Sequence, residues 1–117
     1  MSEAAAPSIR VLIADDHRMV RESLVAVLES AGCCRIVGQA ADGQQAIALC
    51  LALSPDVAVI DLSMPGLNGL EVVRRLREQC PGTRTLVLTM HEDEEYLLQS
   101  VRAGASGFLL KDSPASE

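Results

Sequence analysis

Apolar residues along this chain follow two rhythms that take turns. Short runs rich in Val, Ile and Leu set the first: Ile9–Ala14 (IRVLIA), CRIVGQA in the Cys34–Ala41 region, Val57–Ile60 (VAVI), Thr85–Thr89 (TLVLT) and Gly107–Lys111 (GFLLK). The central runs are continuous, without polar alternation, as in strands covered on both faces. Between them the apolar positions return at helical spacing. Val20, Leu24, Val27, Leu28 and Ala31 lie at i, i+4, i+7, i+8 and i+11, and Gly32 follows as a stop. A second helix is predicted from about Asp42–Gly43, with Ala46, Ile47, Cys50 and Leu53 inward and Pro55 ending it. A third places Gly69, Val72, Val73 and Leu76 on one face and Arg74, Arg75, Arg77 and Glu78 on the other, closed by Pro81–Gly82. A fourth runs from about Glu92 to Ala103 and is capped by Gly104. Its acidic opening (Glu92, Asp93, Glu94, Glu95) suits the positive end of a helix dipole.

Strands alternating with helices of this length predict an α/β fold with a parallel sheet. Right-handed crossovers and short connections lead to an open, doubly wound, five-stranded sheet of order 2-1-3-4-5, the flavodoxin-like arrangement. Residues 1–8 read as a disordered tail and residues 9–113 as one domain, with residues 114–117 the truncated start of a fifth helix or a linker. With no fifth helix in the pattern, apolar surface is expected to be exposed beside the last strand and the first helix.

Composition narrows the class. With one Tyr, one Phe and no Trp in 117 residues, the core must be aliphatic, and Phe108 is expected within it. A net charge of −6 argues against this chain itself gripping nucleic acid. No apolar run is long enough to span a bilayer, and the opening MSEAAAPS lacks the pattern of a secretory signal. Cys33, Cys34, Cys50 and Cys80 match no CxxC metal spacing and lie in or beside apolar segments, which predicts reduced thiols in a cytoplasmic protein.

The candidate chemistry lies where the strands end. The first strand runs into Asp15–Asp16, the third into Asp61, the fourth ends on Thr89 and the fifth on Lys111. In a parallel sheet all these ends share one edge, and ligands bind there where the strand order reverses, between strands one and three. Grouped carboxylates repel, and a hard divalent cation with oxygen ligands, Mg²⁺, relieves the conflict. A cation, the Lys111 ammonium and the Thr89 hydroxyl together would match the oxygens of a transferring phosphoryl group. Taken singly, an Asp after a strand is also an ordinary helix cap or turn residue, and Asp15 or Asp16 is expected to cap the first helix.

The set ADD, VIDLSMPGLNG, LVLT and GFLLKD resembles the receiver domain of two-component response regulators over about residues 9–113. The resemblance implies that Asp61 accepts a phosphoryl group from a phosphohistidine on a sensor histidine kinase. It implies that Asp16 and Asp61 bind Mg²⁺ directly, Asp15 through water and Ser63 through its backbone carbonyl. Lys111 would pair with Asp61 or its phosphate, and Thr89 and Phe108 would form a switch pair. Asp112, where many receivers place Pro after the Lys, is similar to regulators of the NarL/LuxR type, which carry a C-terminal DNA-binding domain. A homodimer is a further implied partner, and DNA only through such an output domain. Met90 and His91 are expected to crowd the approach of water to a phosphorylated Asp61.

Three other functions fit parts of the pattern. An aspartate-nucleophile phosphohydrolase also uses Asp at a strand end with Mg²⁺, but typically has a second acid two residues on, where this chain has Ser63. A dinucleotide-binding module needs GxGxxG after the first strand, where this chain has ADDHRM. A partner-binding pseudo-receiver would keep the fold without the phosphoryl chemistry.

Overall fold

The computed structural model describes residues 8–62, 64, 68–89 and 94–110. Five strands and four helices alternate: β1 (Ile9–Ala14), α1 (Arg18–Ser30), β2 (Cys34–Ala40), α2 (Gly43–Leu53), β3 (Val57–Asp61), α3 (Gly69–Gln79), β4 (Arg84–Thr89), α4 (Glu94–Ala103) and β5 (Gly107–Leu110). The sheet is parallel throughout and ordered β2-β1-β3-β4-β5. The predicted order therefore stands, with one boundary change that matters. The third strand continues through Asp61, so this carboxylate belongs to the ladder and not to the loop. The described part of the last strand ends at Leu110.

Alternation along the strands divides the core between two faces. Leu12, Ala14, Ala58 and Ile60 face α2 and α3, where they pack with Ala46, Ile47, Cys50, Val72 and Leu76. Val11, Ile13, Val59 and Leu88 face the other way, against Leu24, Val25 and Leu28 of α1. Strand β2 departs from this rule. Ile36 lies on the α1 side while Ala40, an even number of residues later, lies on the α2 side. A β-bulge resolves it: Val11 pairs with Ile36 but Leu12 pairs with Gly38, so one extra residue reverses the parity of the strand.

The inward face of α1 differs from the one its spacing predicts. Leu24, Val25 and Leu28 lean on the sheet, whereas Val27 is 64% exposed and Ala31 is exposed. The apolar stripe of α1 is broader than one contact line, and only its flank containing Val25 meets the sheet. Phe108 is 48% exposed and stands outside the aliphatic core in which it was expected. Exposed apolar surface thus occurs beside both the first helix and the last strand.

Helix ends are defined by local chemistry. Asp42 caps α2 by accepting from the Gln45 amide at 2.8 Å, and the Asn68 side chain accepts from Leu70 at the start of α3. At the far end of α2, Arg10 donates to the carbonyls of Leu53 and Ser54 at 2.8 and 2.9 Å. Its own amide donates to Asp56 at 2.8 Å, so one residue of β1 ties down the α2–β3 turn. Gly32, with φ of 83°, supplies the left-handed turn after α1. On the outer face of α3, Glu71 accepts from Arg74 and Arg75, and the bond from Arg75 is the main cause that lowers its carboxyl pKa.

Burial, and behind it the neighbouring Cys80, pushes the Cys50 thiol from 9.0 up to about 12. The unfolded chain loses this proton first, so the stabilisation is complete below pH 9.0 and declines as pH rises toward 12. The slope expected from this thiol is about 1.4 kcal/mol per pH unit. Urea midpoints measured over that alkaline range should fall more steeply for the wild-type chain than for Cys50→Ala; equal slopes would show that Cys50 ionisation is not coupled to folding.

Candidate functional site: a carboxylate cluster at the strand tips

The strand register brings the acidic residues together. Ala14 pairs with Ile60, so the next residues along, Asp15 and Asp61, sit side by side at neighbouring strand tips. Both lie an even number of residues after Ile13 and Val59, which face α1, so alternation sends both to the same side. Adjacent strands are about 4.8 Å apart, within which the carboxylates must share a site. Ligand atoms of Asp15, Asp16, His17 and Asp61 lie within 4.8 Å of one another. Asp15 and Asp61 are fully buried, and the Asp16 side chain is partly exposed at 29%.

The loop after β1 is held from several directions. The Asp15 amide donates to the Ala40 carbonyl at 3.0 Å, anchoring the loop to β2. The Asp15 carboxylate accepts from the His17 amide at 2.8 Å. His17 Nδ1 stands 3.2 Å from an oxygen of Asp15 and 3.2 Å from an oxygen of Asp16. Arg21, one turn into α1, donates to the Asp15 carbonyl at 2.6 Å. The N-cap position of α1 is His17, with no side-chain cap bond. Neither Asp15 nor Asp16 therefore caps the helix as expected; the acids face the strand tips instead.

Asp61 is located by its strand and by the close approach of α3. The Leu62 amide donates to the Leu88 carbonyl at 3.1 Å, extending the β3–β4 ladder beyond Asp61. The first residue of α3 is Gly69 because the helix runs directly against the backbone that follows Asp61. A Cβ at Gly69 would lie 2.6 Å from the Leu62 Cα and 2.8 Å from its carbonyl oxygen. On the next strand Asp61 pairs with Leu88, which places Thr89 one residue further along the same edge, 3% exposed.

The predicted carboxylates Asp15, Asp16 and Asp61 are therefore together, with Thr89 at the same edge. Phe108 is on β5, in register with Val87 of β4. Ser63, Met90, His91 and Lys111 lie outside the described residues. The sequence pattern does not single out His17 and Arg21. Their signal was position: His17 shares the strand-to-helix loop with both acids, and Arg21 lies one helical turn after it.

The donor set fits a hard divalent cation. Three carboxylates converge on one point, and oxygen donors are what Mg²⁺ prefers. The imidazole of His17 is the softest member of the group and is 61% exposed at its rim.

An open parallel sheet with acids gathered at the switch between its first and third strands defines a doubly wound α/β module with a candidate cation site at that edge. The chain belongs to the response regulator receiver domain family, whose sequence profile matches residues 11–117. It is 39% identical over 117 residues to the transcriptional regulatory protein NarL of Mycobacterium tuberculosis, covering 100% of this chain and 54% of that protein. It is 42% identical over 107 residues to the oxygen regulatory protein NreC of Staphylococcus epidermidis, covering 91% and 49% respectively. The solved receiver domain of M. tuberculosis NarL matches with a TM-score of 0.87 at 40% identity, over 95% of this chain and 90% of that one. A LuxR-family regulator from Aurantimonas matches with a TM-score of 0.85 at 35% identity, over 94% and 79%. The chain spans about half the length of the curated relatives it matches. Among the described residues no helix is long and apolar enough to cross a membrane.

Gly69→Ala should drive the start of α3 away from Leu62 and displace the turn that carries Asp61. The expected cost is about 1–3 kcal/mol, the range for overpacking a filled site. Urea unfolding measures it, and an unchanged midpoint would show that the helix has slack at this contact.

Proposed function

We propose that Asp61 is the phosphoacceptor of a phosphorylation-switched receiver, taking its phosphoryl group from a phosphohistidine of a sensor histidine kinase. The observation that carries this reading is the approach of the Asp15, Asp16 and Asp61 ligand atoms to within 4.8 Å at the strand tips. An Oδ of Asp61 attacks phosphorus, the bond to the donor nitrogen breaks, and an acyl phosphate remains on the side chain. Asp16 and Asp61 would hold Mg²⁺, with Asp15 through water and the Ser63 carbonyl completing the protein's share. When bound, the ion supplies charge neutralisation for the phosphoryl oxygens. Asp15 is itself held by the His17 amide and, through its carbonyl, by Arg21.

Lys111 is assigned the neutralisation of a phosphoryl oxygen, and Thr89 a hydrogen bond to another. Buried Thr89 and half-exposed Phe108 suit a switch in which Thr89 moves toward the phosphate and Phe108 turns into the space left behind. The surface of α4 and β5 would carry the change to partners. The relatives named as transcriptional regulators support a reading in which the receiver controls a DNA-binding output domain and dimerises when phosphorylated, in the cytoplasm. The chain is then no enzyme toward external substrates; it makes and hydrolyses its own acyl phosphate.

Incubation with Mg²⁺ and a small-molecule phosphodonor, followed by intact mass, should give a single hydroxylamine-labile phosphate adduct. Asp61→Asn should abolish it. An undiminished adduct in Asp61→Asn would move the acceptor elsewhere, and repeated turnover of an added phosphate ester would indicate a hydrolase.

A further inference from the structure

Consecutive residues in a strand send their side chains to opposite faces, so adjacent cysteines in a strand do not meet. Cys33 and Cys34 do meet. Cys33 lies in the bend between α1 and β2, and this bend brings its sulfur to 3.9 Å from that of Cys34, the first residue of the strand. Cys33 is exposed and Cys34 half-buried beside the cluster that includes Leu24 and Leu28, so the pair can be approached from solvent. The backbone beneath it is pinned. The Cys33 carbonyl accepts from the Ile9 amide at 2.9 Å, and Cys34 is in register with Ile9. The pair sits at the edge of the sheet where the strands begin, opposite the carboxylate cluster.

We propose that Cys33 and Cys34 form a bidentate dithiol site for a trivalent organoarsenical. The chemistry balances without an oxidant or reductant. An arsenic oxide R–As=O meets two thiols; two As–S bonds form, the two S–H protons leave with the oxide oxygen as water, and arsenic stays trivalent. Its third bond is to its own carbon, so two sulfurs complete its valence. Protonated thiols suffice for this condensation. That suits Cys34, whose thiol is pushed up by burial and by its contact with Cys33.

Two rival uses of the pair fit less well. A structural zinc ion takes four ligands. Among the described residues, the only set of three or more His, Cys, Asp or Glu groups converging on one point is the carboxylate cluster. A disulfide would require the sulfurs to close from 3.9 Å to about 2.05 Å across a single peptide bond, and would require an oxidant. Cys50 and Cys80 are buried in the core and serve as internal controls.

One equivalent of phenylarsine oxide added to the purified chain should give one adduct by intact mass, formed with loss of water. The adduct should survive excess monothiol and be stripped by a small dithiol. Cys33→Ser and Cys33→Ala each break the chelate and should weaken retention at least 10-fold. Cys33 is exposed, so far-ultraviolet circular dichroism should show both variants folded. Acyl-phosphate formation on Asp61 should be unchanged in both variants, which separates this site from the phosphoacceptor reading. No retained adduct in the wild-type chain, or equal retention in folded Cys33→Ser, overturns the proposal.

Discussion

Like charges repel, and this fold gathers three carboxylates where two strands end. Their ligand atoms lie within 4.8 Å of one another, a spacing at which like charges oppose the arrangement. Two of the three are fully buried, so water screens them little. Such a cluster persists only if the rest of the domain holds it in place, and its natural complement is a hard cation with a phosphoryl group beside it. Burial, register and loop hydrogen bonds at this edge can all be understood as means of maintaining that opposition.

The scaffold acts at both ends of the sheet. At the charged edge, Ala40 anchors the Asp15 amide, Arg21 anchors its carbonyl, and the absence of a side chain at Gly69 lets α3 close on the turn after Asp61. At the other edge, Arg10 joins β1 to the end of α2 and the turn before β3. Since Asp15 and Asp61 sit at the far ends of those two strands, a slip in their register would separate the acids. The aliphatic core makes a slip costly, because shifting either strand by one residue would turn Leu12 and Ile60 away from α2 and α3.

Most of this architecture is legible in the residue pattern. Continuous apolar strands and helical spacing led to the sheet order, and the α3 face of Gly69, Val72, Val73 and Leu76 is buried as the spacing requires. What is less legible depends on contacts that periodicity does not encode. The bulge in β2 is visible only once β1 supplies a register. Spacing alone could not tell which flank of the broad apolar stripe on α1 meets the sheet, and Val25 displaced Val27. Phe108 was expected inside because it is the only Phe, yet it is half-exposed on β5, a placement that composition does not encode. At the site, the acids announced themselves as strand-terminal residues, while His17 and Arg21 became visible only through bonds back to Asp15.

The central claim is that Asp15, Asp16 and Asp61 act together on a single divalent ion. Titration of the isotope-labelled chain with Mg²⁺, followed by amide NMR, addresses it most directly. Saturable shifts centred on residues 15–17 and 60–62, fitting one site and lost in Asp16→Asn, are the predicted result. Saturable binding that leaves those amides unmoved, or that survives unchanged in Asp16→Asn, would contradict it.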